Sequence, residues 1–402
     1  MPISAILHSF IRLASQQFIV RHTAHGLISW RYLLPRQNAL IRLHRQFWWQ
    51  TPSKLPRALW LLFELLLWLR WIGWYAWRDS WKVSRSQHAQ IDPAHRLTQM
   101  QLFLRLLRLS LAHGMVPGVS CHHQLYLSGS KPWAYLFPNE CAAFHRWRDG
   151  NVHPAAIKTL ADKHICSRQF AELGIAAAAN LALLRKGSPE PDWSQFPLPA
   201  FLKPRYGSAG KHCFYLRRSE GAALYWQEYE QPPHHSRQAR QAWKVAAAKN
   251  DFLLQACYTN APALDIIHPE LITLRVLSTC AAGQCRIELA YLEIPDGIKH
   301  YQIQPLDLET GQLIVLPQIK SNRAQLYWQA AQLHLLPHWA QAARSALSAH
   351  AALAPDLYGA AWDFILSQEG ALLLEGNTTW GTGAWQTVRG PLLAKYAIDD
   401  YH

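Results

Sequence analysis

Residues 362–377 decide the fold of this chain, and they read Trp-Asp-Phe-Ile-Leu-Ser-Gln-Glu-Gly-Ala-Leu-Leu-Leu-Glu-Gly-Asn. Two apolar runs flank a short polar turn that ends in glycine, which is typical of a β-hairpin. We expect a three-residue loop over Gln368 to Gly370, so that Ser367 pairs with Ala371. This register fixes which side chains share one face of the hairpin.

Three polar residues share one face of the hairpin in that register. Asp363 stands opposite Glu375, and Asn377 lies on the same side as Glu375 because side chains alternate along a strand. Two neighbouring carboxylates in an apolar setting are costly unless a cation neutralises them. Hard oxygen ligands suit Mg²⁺, which proteins commonly share with nucleotide phosphates. The sequence therefore predicts a magnesium site at this hairpin.

A second polar segment, residues 201–211, reads Phe-Leu-Lys-Pro-Arg-Tyr-Gly-Ser-Ala-Gly-Lys. A short apolar strand ends at Lys203, and a lysine in that position needs an anionic partner. The glycine-rich loop that follows lets backbone N–H groups approach phosphate oxygens. It differs from a Walker loop in its order of residues and in the strand that follows it. We expect phosphate contacts from Gly207, Ser208, Gly210 and Lys211.

These two sites stand in a fixed order with other segments. Upstream, Asp162 and Lys163 open a helix, and downstream an apolar strand over 271–279 contains Arg275. In this order the pieces resemble the ATP-grasp superfamily over roughly residues 155–390. They are most similar to its sugar-transfer-associated group, found in cell-surface polysaccharide biosynthesis. The resemblance implies an α+β fold in which two α+β subdomains grip ATP, preceded by a helical, basic, Trp-rich region.

The resemblance implies roles for residues around the nucleotide phosphates. Lys163 and Lys203 match lysines that reach the phosphates, and Lys203 is also expected to be catalytic. Arg275 matches the catalytic arginine that faces the transferred phosphate and the acyl group. The flexible lid over the phosphates matches Gly207, Ser208, Gly210 and Lys211.

Further implied roles concern the adenine, the ribose and the metal. Asn260 or Asp265 would contact the ribose. The linker strand between the subdomains, whose backbone would read the adenine edge, matches Gln255, Ala256 and Cys257. The metal ligands of the family match the residues that the hairpin register selects, Asp363, Glu375 and Asn377. The implied cofactors are ATP and Mg²⁺.

The chain departs from the family pattern in three places. No proline follows the last metal ligand, where the sequence reads Thr-Thr-Trp-Gly-Thr-Gly. The turn over Asp307 to Gly311 is present, but Lys-His-Tyr-Gln-Ile-Gln stands before it instead of a glycine-rich segment. A Rossmann-like domain before the ATP-grasp body is not evident. Because of the segment that precedes the turn, the acceptor pocket is expected to differ from that of the family.

Charge divides the chain into two parts. Residues 1–110 contain 15 Lys and Arg against 3 Asp and Glu, a net charge of +12, and 9 of the 19 Trp. The remaining 292 residues contain 25 basic and 23 acidic residues, a net charge of +2. We predict a helical basic N-terminal region over 1–113, a loop-rich connector over 114–154, and two ATP-grasp subdomains over 155–257 and 258–402.

Residues 57–81 form a markedly apolar segment. Between Ala58 and Trp77 the only charged residues are Glu64 and Arg70. The segment is long enough to span a bilayer, but its two internal charges oppose spanning. Two alternatives stay open: a helix on an anionic membrane surface, in a cytoplasmic protein peripheral to the inner face, or a scaffold helix against the catalytic body. The N-terminus lacks the basic n-region of a secretory signal.

Local patterns predict the remaining elements. The seven cysteines contain no Cys-x-x-Cys pair and are interpreted as free thiols, although Cys280 and Cys285 flank a predicted hairpin turn. Helices are expected over 1–50 (with breaks), 94–113, 155–173 and 322–350, and a polar loop over 230–243. Strands are expected over 180–185, 200–204, 212–217, 252–257, 271–279 and 285–293.

The implied reaction is activation of a carboxylate. The γ-phosphoryl group of ATP passes to the carboxylate, and an amine then attacks the acyl phosphate to form an amide. The substrates would be small-molecule or glycan-linked carboxylates and amines, and nucleic acid is not expected as a partner. Two alternatives stay open: a kinase that phosphorylates a sugar hydroxyl, and a basic membrane- or nucleic-acid-binding protein with an inactive nucleotide fold. The sequence does not indicate the oligomeric state.

Overall fold

The computed structural model describes residues 29–33, 38–50, 56–88, 97–127, 129–150, 154–207, 210–218, 223–229, 236–296, 301–314 and 335–397. The chain divides into two compact units, Met1–Trp147 with Gly381–His402, and Arg148–Trp380. Most of the predicted connector over 114–154 thus belongs to the first unit, and so do residues 381–402. The connector contains helices as well as loops, and its residues pack against the N-terminal helices.

The first unit is helical, as the sequence predicts. Its longest helix runs from Arg57 to Gln87 and contains one π-turn, Trp71–Tyr75. A capping box of Thr98 and Gln101 starts the next long helix, and Gly114, with φ of 68°, ends it. The helices are α1 Ala39–Trp49, α2 Arg57–Arg70, α3 Ala76–Gln87, α4 Gln99–His113, α5 Pro117–His122 and α6 Cys141–Asp149, with 3₁₀ turns at Trp30–Leu33, Pro132–Ala134 and Pro138–Glu140.

The second unit begins with a helix pair and an antiparallel sheet. Its elements are α7 Pro154–Ala161, α8 Lys163–Glu172, β1 Asn180–Leu184, a 3₁₀ turn Trp193–Gln195, β2 Ala200–Pro204, β3 Phe214–Arg218, β4 Leu224–Glu228, α9 Ser236–Ala247 and β5 Phe252–Ala256. The sheet has the order β1-β5-β2-β3-β4. Its buried face packs with α9 around three mutually contacting tryptophans, Trp193, Trp226 and Trp243.

Most predicted elements of this sheet are present, and the differences have physical reasons. The helix expected over 155–173 is two helices, because the side chain of Asp162 caps α8 by accepting from two of its backbone N–H groups at 3.1 and 3.2 Å. The predicted polar loop over 230–243 is wrong from residue 236 onward, where α9 begins. This helix is polar on its outer side but buries Trp243. Strand β4 was not predicted.

The second unit continues with another antiparallel sheet. Its elements are α10 Pro262–Asp265, β6 Thr273–Ala281, β7 Gln284–Pro295, β8 Tyr301–Pro305, α11 Trp339–Leu353, β9 Gly359–Ser367 and β10 Gly370–Asn377. The chain then returns to the first unit with α12 Thr382–Arg389 and a 3₁₀ turn Ala394–Ala397. The strand order is β10-β9-β6-β7-β8. Helix α11 packs on one face of this sheet. The predicted helices over 1–50 and 322–350 lie partly outside the described residues. The predicted α+β class is confirmed.

The register of the β9–β10 hairpin differs from the prediction in its loop but agrees at its far end. Gly370, with φ of 138°, pairs directly with Ser367, so the loop has two residues and the expected Ser367–Ala371 pair is wrong. A β-bulge between Leu373 and Glu375 then adds one residue to β10. This extra residue compensates for the shorter loop, and Asp363 stands opposite Glu375 as predicted.

The prediction that all cysteines are free thiols is wrong for one pair. Cys280 and Cys285 face each other across the β6–β7 hairpin, with Cα atoms 4.1 Å apart, and form a disulfide. Directly opposed positions at the end of an antiparallel hairpin bring the two thiols within bonding distance. The other five cysteines form no disulfide within the described residues.

Candidate active site

The three predicted metal ligands lie together at one end of the β9–β10 hairpin. The Asn377 amide donates to Asp363 Oδ2 at 3.0 Å and to Glu375 Oε1 at 3.3 Å. This orientation leaves the amide oxygen of Asn377 as a further ligand atom. The set of two carboxylates and one amide oxygen fits the hard-ligand preference of Mg²⁺.

In this arrangement Arg275 forms a bidentate ion pair with the carboxylate of Asp363. The two residues pair directly across β6 and β9, and the guanidinium donates to both carboxylate oxygens at 2.6 and 2.7 Å. Asp363 is only 5% exposed. Burial is the largest influence on its carboxyl pKa and raises it, while Arg275 opposes that rise. The arginine therefore holds a buried carboxylate at the position predicted for a metal ion.

Two lysines approach Glu375, one from the first sheet and one from α8. Lys163 donates from Nζ to the carbonyl of Gly207 and lies 3.6 Å from Glu375 Oε2. Lys203, on β2, is 7% exposed, and within the described ranges its ammonium has no hydrogen bond or ion pair. Burial lowers its pKa, while the charge of Glu375 opposes that change. Such a buried ammonium requires an anion.

The sequence analysis missed the contacts of Asp162 with Arg205 and Tyr206, which we call the brace. The brace connects the two segments that carry Lys163 and Lys203. Arg205 donates to the Asp162 carboxylate at 2.6 to 3.0 Å, and the Tyr206 hydroxyl donates to it at 2.7 Å. Burial would raise the pKa of Asp162, but these bonds outweigh it and lower the pKa to about 2. The brace joins the end of β2, which carries Lys203, to the start of α8, which carries Lys163. The signal was present, because Arg205 and Tyr206 directly follow Lys203-Pro204.

Glu293 is a second residue that the sequence analysis missed. Its Oε1 lies 3.0 Å from Arg275 Nη1, so Arg275 stands between Glu293 and Asp363. Burial, with the charges of Asp363 and Glu375, raises the pKa of Glu293 to about 7, although Arg275 opposes this. Counting back from the predicted hairpin at Cys280 and Cys285 would not have found Glu293, because it places Arg275 opposite Ala290. A β-bulge beside Leu277 shifts the register by one residue, so that Tyr291 pairs with Arg275 and Glu293 lies on the same face as Arg275.

The glycine-rich loop is only partly described. Gly207 has φ of 128° and Gly210 has φ of 61°, both in a region that favours glycine. Lys211 is exposed, and Ser208 lies outside the described residues. The loop begins beside Lys163, through the Gly207 carbonyl.

The predicted adenine and ribose contacts fit the structure less well. The Gln255 amide donates to Asn180 Oδ1 at 3.3 Å, and the Ala256 N–H donates to the Ala179 carbonyl at 3.0 Å. The Ala256 N–H is therefore not available to an adenine. The ribose contact predicted for Asn260 or Asp265 stays a prediction, and the side chain of Asn260 is already engaged elsewhere. Its amide holds three backbone groups, the carbonyls of residues 268 and 270 and the N–H of residue 272, at 2.8 to 3.1 Å.

The site offers charge stabilisation instead of a nucleophile. Cys166 lies close enough to Glu375, Lys203 and Lys163 for their charges to influence the pKa of its thiol. However, burial raises the pKa of its thiol to about 12, so the thiol stays protonated at neutral pH. Cationic side chains beside oxygen ligands for a metal can hold and neutralise phosphates.

Comparisons with known proteins give only distant structural similarity. No protein-family profile and no curated protein match the chain. Similar solved structures include biotin carboxylase from Campylobacter jejuni in a beta-gamma-ATP complex, with 11% identity, a TM-score of 0.35, and coverage of 58% of this chain and 44% of that one. D-alanine–D-alanine ligase from Bacillus anthracis complexed with ATP has 13% identity, a TM-score of 0.33, and coverage of 61% and 62%.

A third similar structure is L-amino acid ligase from Bacillus licheniformis, with 7% identity, a TM-score of 0.33, and coverage of 66% of this chain and 54% of that one. These neighbours are ATP-grasp enzymes. The chain spans less than two thirds of the length of each of them. Identities and TM-scores this low do not assign the chain to any of their families.

Proposed function

We propose that this protein binds ATP with Mg²⁺ and uses it to activate a carboxylate, as an ADP-forming carboxylate–amine ligase of the ATP-grasp type. The observation that carries the proposal is Lys203, a buried ammonium without a described partner, next to a hairpin of oxygen ligands. A phosphate beside Lys203 would neutralise its ammonium, and a metal cation would take the place that Arg275 holds at the Asp363 carboxylate. ATP with Mg²⁺ supplies both charges in one ligand.

Different side chains bind different parts of that ligand. Lys203 and Lys163 bind the phosphates, and the brace of Asp162 with Arg205 keeps them in place. Asp363, Glu375 and Asn377 hold Mg²⁺, which neutralises charge on the phosphates when bound. Arg275, retained by Glu293 at 3.0 Å, neutralises charge on the transferred phosphoryl group. The buried setting strengthens each of these interactions.

The substrates follow from the chemistry and from the motif resemblance. The γ-phosphoryl group passes to a carboxylate oxygen, ADP leaves, and an amine attacks the acyl carbon and expels phosphate. The resemblance to the sugar-transfer-associated group favours small-molecule or glycan-linked substrates and a role in cell-surface polysaccharide or glycoconjugate biosynthesis. ATP as the phosphoryl donor favours a cytoplasmic location.

Trapping with hydroxylamine tests the proposed reaction. The purified protein would be incubated with ATP, Mg²⁺, hydroxylamine and a panel of sugar acids and amino acids. We expect ADP together with a hydroxamate, because hydroxylamine attacks an acyl phosphate. ADP with a phosphate ester and no hydroxamate would instead identify a sugar kinase. Absence of ADP above the level given by Asp363→Asn, over the whole panel, would contradict an enzymatic role.

A further inference from the structure

The helix from Arg57 to Gln87 presents a row of large apolar side chains to solvent. Trp74 at its centre is 63% exposed. We call this row the outer stripe, and it consists of Leu62, Leu65, Leu66, Leu69, Trp74, Trp77 and Trp81, each at least 38% exposed. Soluble proteins rarely expose contiguous apolar surface of this kind without a partner for it.

The π-turn at Trp71–Tyr75 keeps the outer stripe on one side of the helix. In an uninterrupted α-helix, Trp77 and Trp81 would rotate away from the leucines, because they follow Leu62 by 15 and 19 residues. A π-turn accommodates one extra residue. When this extra residue is left out of the count, the residues of the outer stripe stand at positions i, i+3, i+4, i+7, i+11, i+14 and i+18, where i is Leu62. Residues at these spacings lie on one face of an α-helix.

The opposite face of this helix is already occupied by the protein. Its buried residues include Trp60, Phe63, Leu67 and Trp71. Trp71 and Leu67 pack with Leu107 of α4. The outer stripe is therefore the side of an integrated helix that remains for an external partner. Next to it, Trp77 and Trp81 contact Phe103 of α4, and Met100 and Leu104 of α4 are also exposed.

Basic residues accompany the tryptophan half of the outer stripe. Arg78, Lys82 and Arg85 are all exposed in α3. The whole region of residues 1–110 has 15 basic and 3 acidic residues. Tryptophan and basic side chains together are characteristic of the boundary between lipid headgroups and acyl chains. A second protein copy with the same positive charge would be repelled, whereas an anionic bilayer would be attracted.

We propose that the outer stripe docks the first unit onto the surface of an anionic lipid bilayer. The leucines enter the boundary of the acyl chains, the tryptophans lie at headgroup level, and Arg78, Lys82 and Arg85 contact anionic headgroups. The helix is long and apolar enough to cross a membrane by length and composition. Spanning would, however, carry its protein-covered face and the charges of α3 into hydrocarbon. The helix therefore lies along the surface, and this proposal does not depend on the proposed enzymatic reaction.

Vesicle flotation with the full chain tests the proposal. Vesicles of phosphatidylcholine alone would be compared with vesicles of phosphatidylcholine and phosphatidylserine in equal parts. We expect flotation with the anionic vesicles and release at high salt. Replacing two leucines of the outer stripe, Leu62→Ser with Leu69→Ser, should weaken binding roughly tenfold or more. Lys82→Gln with Arg85→Gln should weaken it about fivefold for each charge removed.

Matched substitutions elsewhere control for general loss of apolar surface. Ile266→Ser with Leu335→Ser alters residues of the second unit that are 67% and 62% exposed, and this variant should float like the wild type. Lack of flotation by the wild type, or equal flotation by the leucine variant, would overturn the proposal. The proposal would also be overturned if sodium carbonate failed to extract the protein from cell membranes, because such resistance indicates a spanning helix. Dimers by light scattering that the leucine variant abolishes, without lipid binding, would show that a second copy covers the stripe.

Discussion

At the scale of single residues, Lys203 connects the sequence to the chemistry most directly. Its position at the end of an apolar strand already indicated an anionic partner. The structure adds that the side chain is 7% exposed and makes no hydrogen bond or ion pair within the described ranges, although the charge of Glu375 lies near it. Without nucleotide, this ammonium is a cost to the fold; with a phosphate beside it, it becomes a binding group.

Lys203→Met should therefore have opposite effects on stability and binding. Methionine fills a similar volume without a charge, so we expect the free energy of unfolding without nucleotide to rise by about 1–3 kcal/mol. The stabilisation that ATP with Mg²⁺ gives the wild type should disappear. Thermal and urea unfolding with and without nucleotide measure both effects. Lys158→Met, at an exposed lysine of α7, should change neither, and a Lys203→Met protein that is still stabilised by ATP would contradict the assignment.

Glu293 gives a prediction for pH. Burial raises its pKa from an ordinary 4.5 to about 7, so the folded protein binds this proton more tightly than the unfolded chain. The contribution of Glu293 to stability is therefore lost as pH rises from about 4.5 to about 7. Over that interval we expect the wild type to lose about 3 kcal/mol relative to Glu293→Gln, measured by urea unfolding at a series of pH values. Parallel pH profiles for the two proteins would show that Glu293 titrates normally.

At the scale of elements, the β9–β10 hairpin shows both the reach and the limit of sequence patterns. The pairing of Asp363 with Glu375 could be predicted, but it arises from a two-residue loop and a bulge instead of a three-residue loop. The bulge was invisible in the sequence because Leu374 continues an apolar run. Only the sheet as a whole decides which leucine is left out of the ladder.

The same limit applies to the elements that the sequence analysis missed. Strands that are rich in apolar residues, such as β6 and β9, could be predicted because most of their residues are buried. Helix α9 could not, because most of it is polar and its stability comes from burying Trp243 in the core. The braces of the site, Asp162 with Arg205 and Arg275 with Glu293, depend on which strands become neighbours, so no single segment encodes them.

Gly376 offers a test of the hairpin geometry. An added Cβ would lie 2.6 Å from the ring of Trp362 and 3.1 Å from Leu160, and both side chains are buried. We expect Gly376→Ala to destabilise the protein by about 1–3 kcal/mol in urea unfolding. It should also weaken Mg²⁺-dependent ATP binding, because Glu375 and Asn377 flank the displaced backbone.

Gly381→Ala is the matched control for that substitution. A Cβ at Gly381 meets no atom within 4 Å among the described residues, and its φ of −69° suits alanine. This variant should retain wild-type stability to within about 0.5 kcal/mol. If both variants behave alike, the close packing of β10 on Trp362 is not what sets the position of the metal ligands.

At the scale of the whole molecule, the basic N-terminal region and the candidate active site lie in different units. The outer stripe lies in Met1–Trp147, and the candidate active site lies in Arg148–Trp380. The sequence predicted this separation from the net charge of +12 in residues 1–110 against +2 in the remainder. It could not predict which face of the apolar helix is exposed, because that depends on the packing of α4.

The two proposals should therefore be separable in one set of proteins. We expect Leu62→Ser with Leu69→Ser to lose vesicle binding but keep ATP binding unchanged. Lys203→Met should lose ATP binding but float with anionic vesicles like the wild type. Flotation and nucleotide titration on the same preparations measure both properties. Simultaneous loss of both properties in either variant would mean that the units are not independent.

The most direct test of the central claim is calorimetric titration of the protein with ATP, in the presence of Mg²⁺ and in the presence of EDTA. We predict one ATP site per chain that requires Mg²⁺ in the wild type and is lost in Asp363→Asn, which removes one carboxylate ligand. Wild-type protein that binds no ATP with Mg²⁺, or that binds it equally well in EDTA and in the Asp363→Asn variant, would contradict the account.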